Sequence, residues 1–311
     1  MQENNSNEIV TPREPKGINV LSLCDGMSCG QIALTELGIK VNKYYASEID
    51  KNAIKVTMSN FPDTIQLGDV TQLTTEVCDG LEAIDLVLFG SPCRSLSKAT
   101  AGRKDYNNGL DGASWIFYPC ADILHNIKIK NPNVKFLVEN VDSDKKDDLA
   151  EISESLGVQP VMINSNLFSA QDRKRNYWTN IIIDEIPLNN DSVLENVLDE
   201  SIEEKYFYDK DFVYHGDDKK VCATVGVSGH DILKRVNNKK FKAPTLTSCR
   251  GGNTQKKVFD NGRCRKLTPS EYRKLQTIPD WYKMEVADSH IYNMCGDGWT
   301  IEVIKHILKN L

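Results

Sequence analysis

The chain has 311 residues, of which 40% are hydrophobic and 26% charged, enough to bury one large core or two modest ones. No run approaches the ~20 consecutive apolar residues of a membrane span, and the polar, acid-containing residues 1–16 read as a disordered lead-in rather than a targeting peptide, so a cytoplasmic protein is expected. The nine cysteines form no CxxC pair and no zinc-like His/Cys cluster, which predicts reduced thiols and no metal site, and a net charge of −6 argues weakly against nucleic acid as a partner.

The first half of the chain alternates between two patterns. Residues 18–23 (INVLSL) are a short apolar run bounded by Gly17 and Asp25-Gly26, a buried strand. Residues 31–37 have helical spacing and stop at Gly38. Residues 43–46 start a second strand, ending at the acids Glu48 and Asp50. A helix over about 52–60 ends before Pro62, and residues 64–67 are strand-like. Residues 84–89 (IDLVLF) form another apolar run ending at Gly90-Ser91-Pro92. A helix over 114–129 and a strand over 135–138 follow, the strand closing at Glu139. Such alternation implies a parallel α/β sheet covered on both faces, whose function gathers in the loops after the strands. Gly26, Glu48, Asp69, Cys93 and Glu139 all fall at such ends.

Beyond residue 185 the composition turns to Asn, Lys, Asp and Gly, with strand-like pieces at 220–227 and 243–248. Residues 186–263 are therefore expected to form a second, smaller lobe, and residues 17–185 with 264–311 the main domain. Between residues 232 and 266, eleven Lys and Arg face the single acid Asp260, which suits a solvated face or a polyanion-binding lobe. Regular patterns then return. Thr268 with Glu271 three residues later is a helix start, and residues 300–311 form an amphipathic helix.

Chemistry concentrates in a few places. The turn of residues 22–30 has Gly26 and Gly30 between a strand and a helix, which lets a ligand approach free backbone N–H groups. It lacks the GxGxxG pyrophosphate fingerprint. Glu48 suits two ribose hydroxyls, and Asp69 with Val70 suits an adenine edge, so an adenosyl ligand without pyrophosphate fits. In Gly90-Ser91-Pro92-Cys93-Arg94, a thiol on a stiffened loop at a strand end is a candidate nucleophile. Glu139 could donate to a ring nitrogen, and Arg173 and Arg175 offer guanidinium groups to a carbonyl oxygen or to phosphates.

Together these segments resemble the C5-cytosine-specific DNA methyltransferase family over nearly the whole chain. The family's motifs stand here in order as SLCDGMSCG, SEID, GDV, GSPC, GLDG, ENV, QDRKR, RKLTPSEYRKLQTIP and CGDGW. Their spelling is similar to compact phage or bacterial enzymes and to the catalytic domain of animal de novo methyltransferases. The resemblance implies a class I, Rossmann-like methyltransferase sheet with a target-recognition lobe, S-adenosyl-L-methionine as methyl donor and duplex DNA as substrate. It implies that Cys93 adds to cytosine C6, Glu139 binds N3, and Arg175 with Arg173 completes the pocket of a flipped-out base. Cys24, Asp25, Gly26, Met27, Ser28, Gly30, Glu48, Ile49, Asp69, Val70, Gly90, Pro92, Asp297 and Trp299 would surround the donor. Arg94, Ser97, Thr245, Leu246, Arg250, Lys256 and Lys257 would meet the DNA, and a cognate restriction endonuclease is a candidate partner. Cys24, Ile49, Arg94 and Asp297 depart from frequent family spellings. A tRNA-directed branch of the family is one alternative, and a catalytically idle DNA-binding protein of this fold is another.

Overall fold

The computed structural model describes residues 17–97, 104–208 and 211–311; the expected lead-in of residues 1–16 lies outside them. The first part runs β1 (Ile18–Leu23), α1 (Cys29–Glu36), β2 (Val41–Ser47), α2 (Lys51–Asn60), β3 (Ile65–Gln66), α3 (Thr75–Asp79), β4 (Leu86–Phe89), α4 (Phe117–Lys130) and β5 (Lys135–Val141). Then come α5 (Lys146–Leu156), β6 (Val161–Asn164) and β7 (Lys174–Thr179). The lobe holds β8 (Phe212–Tyr214), β9 (Val221–Val225), α6 (Asp231–Lys234), β10 (Arg235–Asn238), β11 (Lys257–Asp260) and β12 (Arg263–Lys266). The chain closes with α7 (Pro269–Leu275), α8 (Asp288–Asp297) and α9 (Ile301–Leu308).

A seven-stranded sheet of order β3-β2-β1-β4-β5-β7-β6 forms the main layer. Its central strands are apolar throughout because both faces are covered. Val20, Leu86, Leu88 and Leu137 pack with α1 and α9 on one side, and Leu21, Val87, Phe89 and Val138 pack with α4 and α5 on the other. Gly30 lets α1 lie close on the sheet, since a Cβ there would stand 2.4 Å from Leu88 Cδ1. Asp50 caps α2 by accepting from Asn52 N at 2.8 Å, and Thr268 and Glu271 form the expected reciprocal cap of α7. β2 and β4 flank β1 in parallel, so the direction of winding reverses there and a crevice opens at the strands' carboxyl ends.

The all-parallel expectation needs correction at one edge. β7 lies antiparallel between β5 and β6, because the 165–173 connection is shorter than the crossover of about a dozen residues that a parallel neighbour requires. Helix α5 was not read from the sequence; Leu149, Ile152 and Leu156 give it an apolar stripe, and Gly157 ends it at φ 74°.

The lobe is a five-stranded sheet, β12-β11-β10-β9-β8, over a small core of Ala223, Val225, Val227, Val236 and Cys264. It includes β12, so the sheet runs three residues past the expected limit at 263. The piece at 243–248 is not a strand: only Ala243 pairs, with Gln171, in a single parallel bridge. Leu194, Leu246 and Cys249 sink into the main core, rooting the lobe's entry and return segments there. Among the described residues no helix is long and apolar enough to cross a membrane.

Candidate active site

A cleft of about 600 Å³ opens at the carboxyl ends of β1, β2, β4 and β5. It gathers Cys24, Asp25, Gly26, Met27, Gly30, Glu48, Ile49, Asp69, Val70, Gly90, Pro92, Cys93, Arg94, Glu139, Arg173, Arg175, Asp297 and Trp299 from segments far apart in sequence.

One half is built on the first turn. Cys24, Gly26 and Ser28 take left-handed φ values of 52°, 58° and 58°, which bends the backbone tightly before α1. Gly26 N donates to Glu48 Oε2 at 2.7 Å, while Glu48 Oε1 accepts from Ile49 N and Asp50 N at 2.7 and 2.8 Å. The turn and the acid are thus locked together. Asp25 is deeply set: burial pushes its carboxyl up to about 6, against Ser22, Ser28 and the Tyr44 hydroxyl, which donates at 2.9 Å. Asp69 Oδ1 accepts from Thr71 N and Oγ1 at 2.9 Å. Ser28, also expected at the ligand, is fully buried and supports Asp25 from beneath the turn.

The other half surrounds Cys93. Its carbonyl accepts from Leu96 N at 3.0 Å and Ser97 N at 2.8 Å, and Asn140 Nδ2 donates to Ser91 Oγ at 3.3 Å, which fixes the loop against β5. The thiol is half-buried. Burial and then the negative charge of Glu139 push its pKa up, while Arg175 opposes them. Glu139 is 7% exposed and held from two sides. Arg175 Nε lies 2.9 Å from Oε1, and the Trp299 indole N–H donates to Oε2 at 3.0 Å. Antiparallel pairing of β7 with β5 sets Val141 opposite Arg175 and so places the guanidinium beside the acid.

Four of the expected contact residues make bonds within the protein. Arg173, at the cleft wall, is 3% exposed and donates to the carbonyls of Leu246, Gly296 and Gly298 at 2.9, 3.1 and 2.9 Å, so it ties these loops together. Leu246 is fully buried; its N–H donates to Gln171 Oε1 at 2.8 Å, and Thr245 Oγ1 donates to the Asp172 carbonyl at 2.6 Å. Lys257 is 1% exposed and donates to the Asn253 and Gln255 carbonyls at 2.8 and 3.1 Å, which removes it from any DNA surface.

Much of the basic run is similarly spent inside the fold. Arg265, fully buried, pairs with Glu271 at 2.8 Å and Asp260 at 3.0 Å, Lys239 pairs with Glu195 at 2.8 Å, and Lys242 donates to three backbone carbonyls. Arg235, Lys240 and Arg250 remain exposed, with Lys256 half-buried.

Sequence reading missed the polar frame beneath the cleft. Gln171 Nε2 donates to Gln276 Oε1 at 3.1 Å, which also accepts from Thr300 Oγ1 at 2.8 Å. Gln276 Nε2 reaches the Cys295 and Gly298 carbonyls at 2.5 and 3.1 Å. A clue lay in the SAQDRKR and LQTIP segments, each of which places an uncharged amide directly after a small or apolar residue, but nothing in their spacing says that they meet.

This winding order, with a nucleoside-shaped turn at its switch point, defines the class I methyltransferase fold. Two solved structures share it: the methyltransferase EhMeth of Entamoeba histolytica (TM-score 0.67, 16% identity, 95% of this chain and 98% of that one) and the Dnmt2 methyltransferase of S. pombe (TM-score 0.67, 15% identity, 94% and 98%). The profile of the C-5 cytosine-specific DNA methylase matches residues 18–311, and the chain belongs to that family; it is a DNA cytosine-5 methyltransferase. Its relatives include the Type II methyltransferase M.DsaV of Dactylococcopsis salina, 26% identical over 96% of this chain and 87% of that protein. Another is M.Bsp6I of Bacillus sp., also 26% identical, over 89% of this chain and 94% of that protein.

Proposed function

We propose that the protein transfers a methyl group from S-adenosyl-L-methionine to C5 of a cytosine flipped out of duplex DNA, through a covalent Cys93–C6 adduct. The observation that carries this reading is the convergence of a half-buried Cys93 with the Glu139–Arg175 pair in one cleft. The volume, about 600 Å³, lies within the ~300–1,000 Å³ range of small-ligand sites. Glu48 and Asp69 face it as acceptors for ribose and adenine, and Asp25, Met27, Asp297 and Trp299 line the remainder. When bound, S-adenosylmethionine supplies an electrophilic methyl on a cationic sulfur, whose departure leaves a neutral thioether.

The chain's own groups do the rest. Cys93 rests as a thiol, and a carboxylate beside it can take the proton that leaves Sγ as the Sγ–C6 bond forms. Glu139 then delivers a proton to N3, so the proton lost by sulfur balances the one gained by the ring. Arg175 stabilises the cytosine O2 as charge develops. Addition makes C5 nucleophilic toward the methyl. Loss of the C5 proton to a base, cleavage of the Sγ–C6 bond and return of the N3 proton through Glu139 to Sγ then restore the ring and the thiol. A base inside a duplex is out of reach of such a pocket, so flipping is required. Arg94 and Ser97 on the Cys93 loop, and Thr245, Arg250 and Lys256 around the lobe, would hold the DNA. A restriction endonuclease of matching specificity is the expected companion, and the cytoplasm the expected compartment.

The test is methyl transfer from labelled donor to duplex DNA and to tRNA, side by side, with the parent and Cys93→Ser. Transfer to DNA by the parent alone is expected. Transfer to tRNA only, or undiminished transfer by Cys93→Ser, overturns the reading.

A further inference from the structure

We infer that Trp299 is a positioning residue for Glu139, holding the catalytic acid from the donor side of the cleft through its indole N–H. This rests on the reading of Glu139 as the group that meets cytosine N3. The hydrogen bond spans 160 residues of sequence, from the turn before α9 to the end of β5, at 3.0 Å. Its geometry is built rather than incidental. Gly90 separates the two groups from the loop that carries Cys93, and a Cβ there would stand 2.9 Å from the indole nitrogen and 3.1 Å from Glu139 Oε2. Only a residue without a side chain lets the contact form.

The backbone that carries the indole is itself held. Cys29 Sγ donates to the Trp299 carbonyl at 3.8 Å, and the preceding carbonyl, Gly298 O, accepts from Arg173 at 2.9 Å and Gln276 at 3.1 Å. The following residue, Thr300, donates to Gln276 at 2.8 Å. The buried amide and guanidinium frame therefore fixes the tryptophan on both sides of its Cα, and the tryptophan fixes the acid.

A ring that served only to pack against the donor would need no directed N–H. Here the donor-only indole takes Oε2 while Arg175 takes Oε1, so the carboxylate cannot rotate and each oxygen keeps lone-pair capacity for cytosine. When Glu139 gives its proton to N3, the carboxylate that forms already has two donors aimed at it, and no group must reorganise. Because Trp299 also lines the donor half, the placement of the acid is tied to the wall on which the methyl donor lies.

Two measurements test this on the full-length enzyme. Trp299→Phe keeps an aromatic wall, so its dissociation constant for S-adenosylmethionine should stay within about threefold. Its kcat on duplex DNA should fall about tenfold or more, the loss of one hydrogen bond to a charged group. The second measurement leaves Trp299 intact and so stands even if that variant does not fold. Of the four tryptophan indole N–H resonances in 15N-labelled protein, one should move on Glu139→Gln. A Trp299→Phe enzyme whose donor affinity falls in step with its rate, or an indole spectrum unchanged by Glu139→Gln, overturns the inference and leaves Trp299 a donor contact. The underlying reading fails separately, if Glu139→Gln methylates DNA at the parental rate.

Discussion

Gly90→Ala is the sharpest test of how tightly the proposed cytosine pocket is built. Gly90 follows β4 and is not among the glycines with positive φ, so an alanine there meets a contact rather than a forbidden backbone. Its added Cβ would lie 2.9 Å from Trp299 Nε1, 3.1 Å from Glu139 Oε2 and 3.4 Å from Trp299 Cε2. Comfortable separations for such atoms begin near ~3.5 Å, so the indole, the carboxylate or both must retreat by roughly half an ångström. That lengthens the indole–carboxylate bond from 3.0 Å to beyond its useful range. Overpacking of this kind costs about 1–3 kcal/mol of stability. A lost hydrogen bond to a charged group is worth about 1.5–3 kcal/mol, or roughly 10- to 100-fold in rate. Initial rates of methyl transfer to duplex DNA at saturating donor and DNA, with thermal unfolding as a control for folding, measure both. A Gly90→Ala enzyme that is folded and works within about twofold of the parent would refute the close packing of acid, indole and loop.

Three further outcomes are expected. Burial and Glu139 together raise the Cys93 thiol, so Glu139→Gln should move its alkylation profile to lower pH and Arg175→Ala to higher pH, read by mass spectrometry of the peptide carrying Cys93. Lys257 is held down to about 8 by burial, with Lys256 and Lys266 adding to the effect. The folded protein therefore binds fewer protons than the unfolded chain between about pH 8 and the ordinary lysine value of 10.5, so stability should rise across that window in the parent and not in Lys257→Met, as judged by denaturant midpoints at pH 7.5 and 10. Arg250 is exposed on the connection between β10 and β11. Arg250→Ala should weaken DNA binding and, if the contact is to phosphate, lower the slope of log affinity against log salt by about one.

The elements that proved legible were those whose physics is local. The apolar runs at 18–23 and 84–89 became β1 and β4, and the Thr268–Glu271 pair became a cap, because strand burial and helix capping are decided within a few residues. That the loops after β1, β2, β4 and β5 line one cleft was legible for a related reason: in this kind of sheet they share one edge. The motif order also determined the family.

Tertiary structure decided what those side chains face. Arg173 and Arg175 stand two residues apart in one motif, yet one knits together three loop carbonyls while the other sits on Glu139. Lys256 and Lys257 are adjacent, and only one reaches the surface. The charges of residues 232–266 read as a single basic stretch, but Arg265 needs Glu271 and Asp260 to be buried at all, and Lys239 is taken up by Glu195 at the rim. Strand alternation and long-range pairing assign such faces, and they depend on partners tens to hundreds of residues away. Composition fixes how much charge the chain has. Only the fold fixes which of it is left to meet DNA, and which tryptophan is brought to the acid.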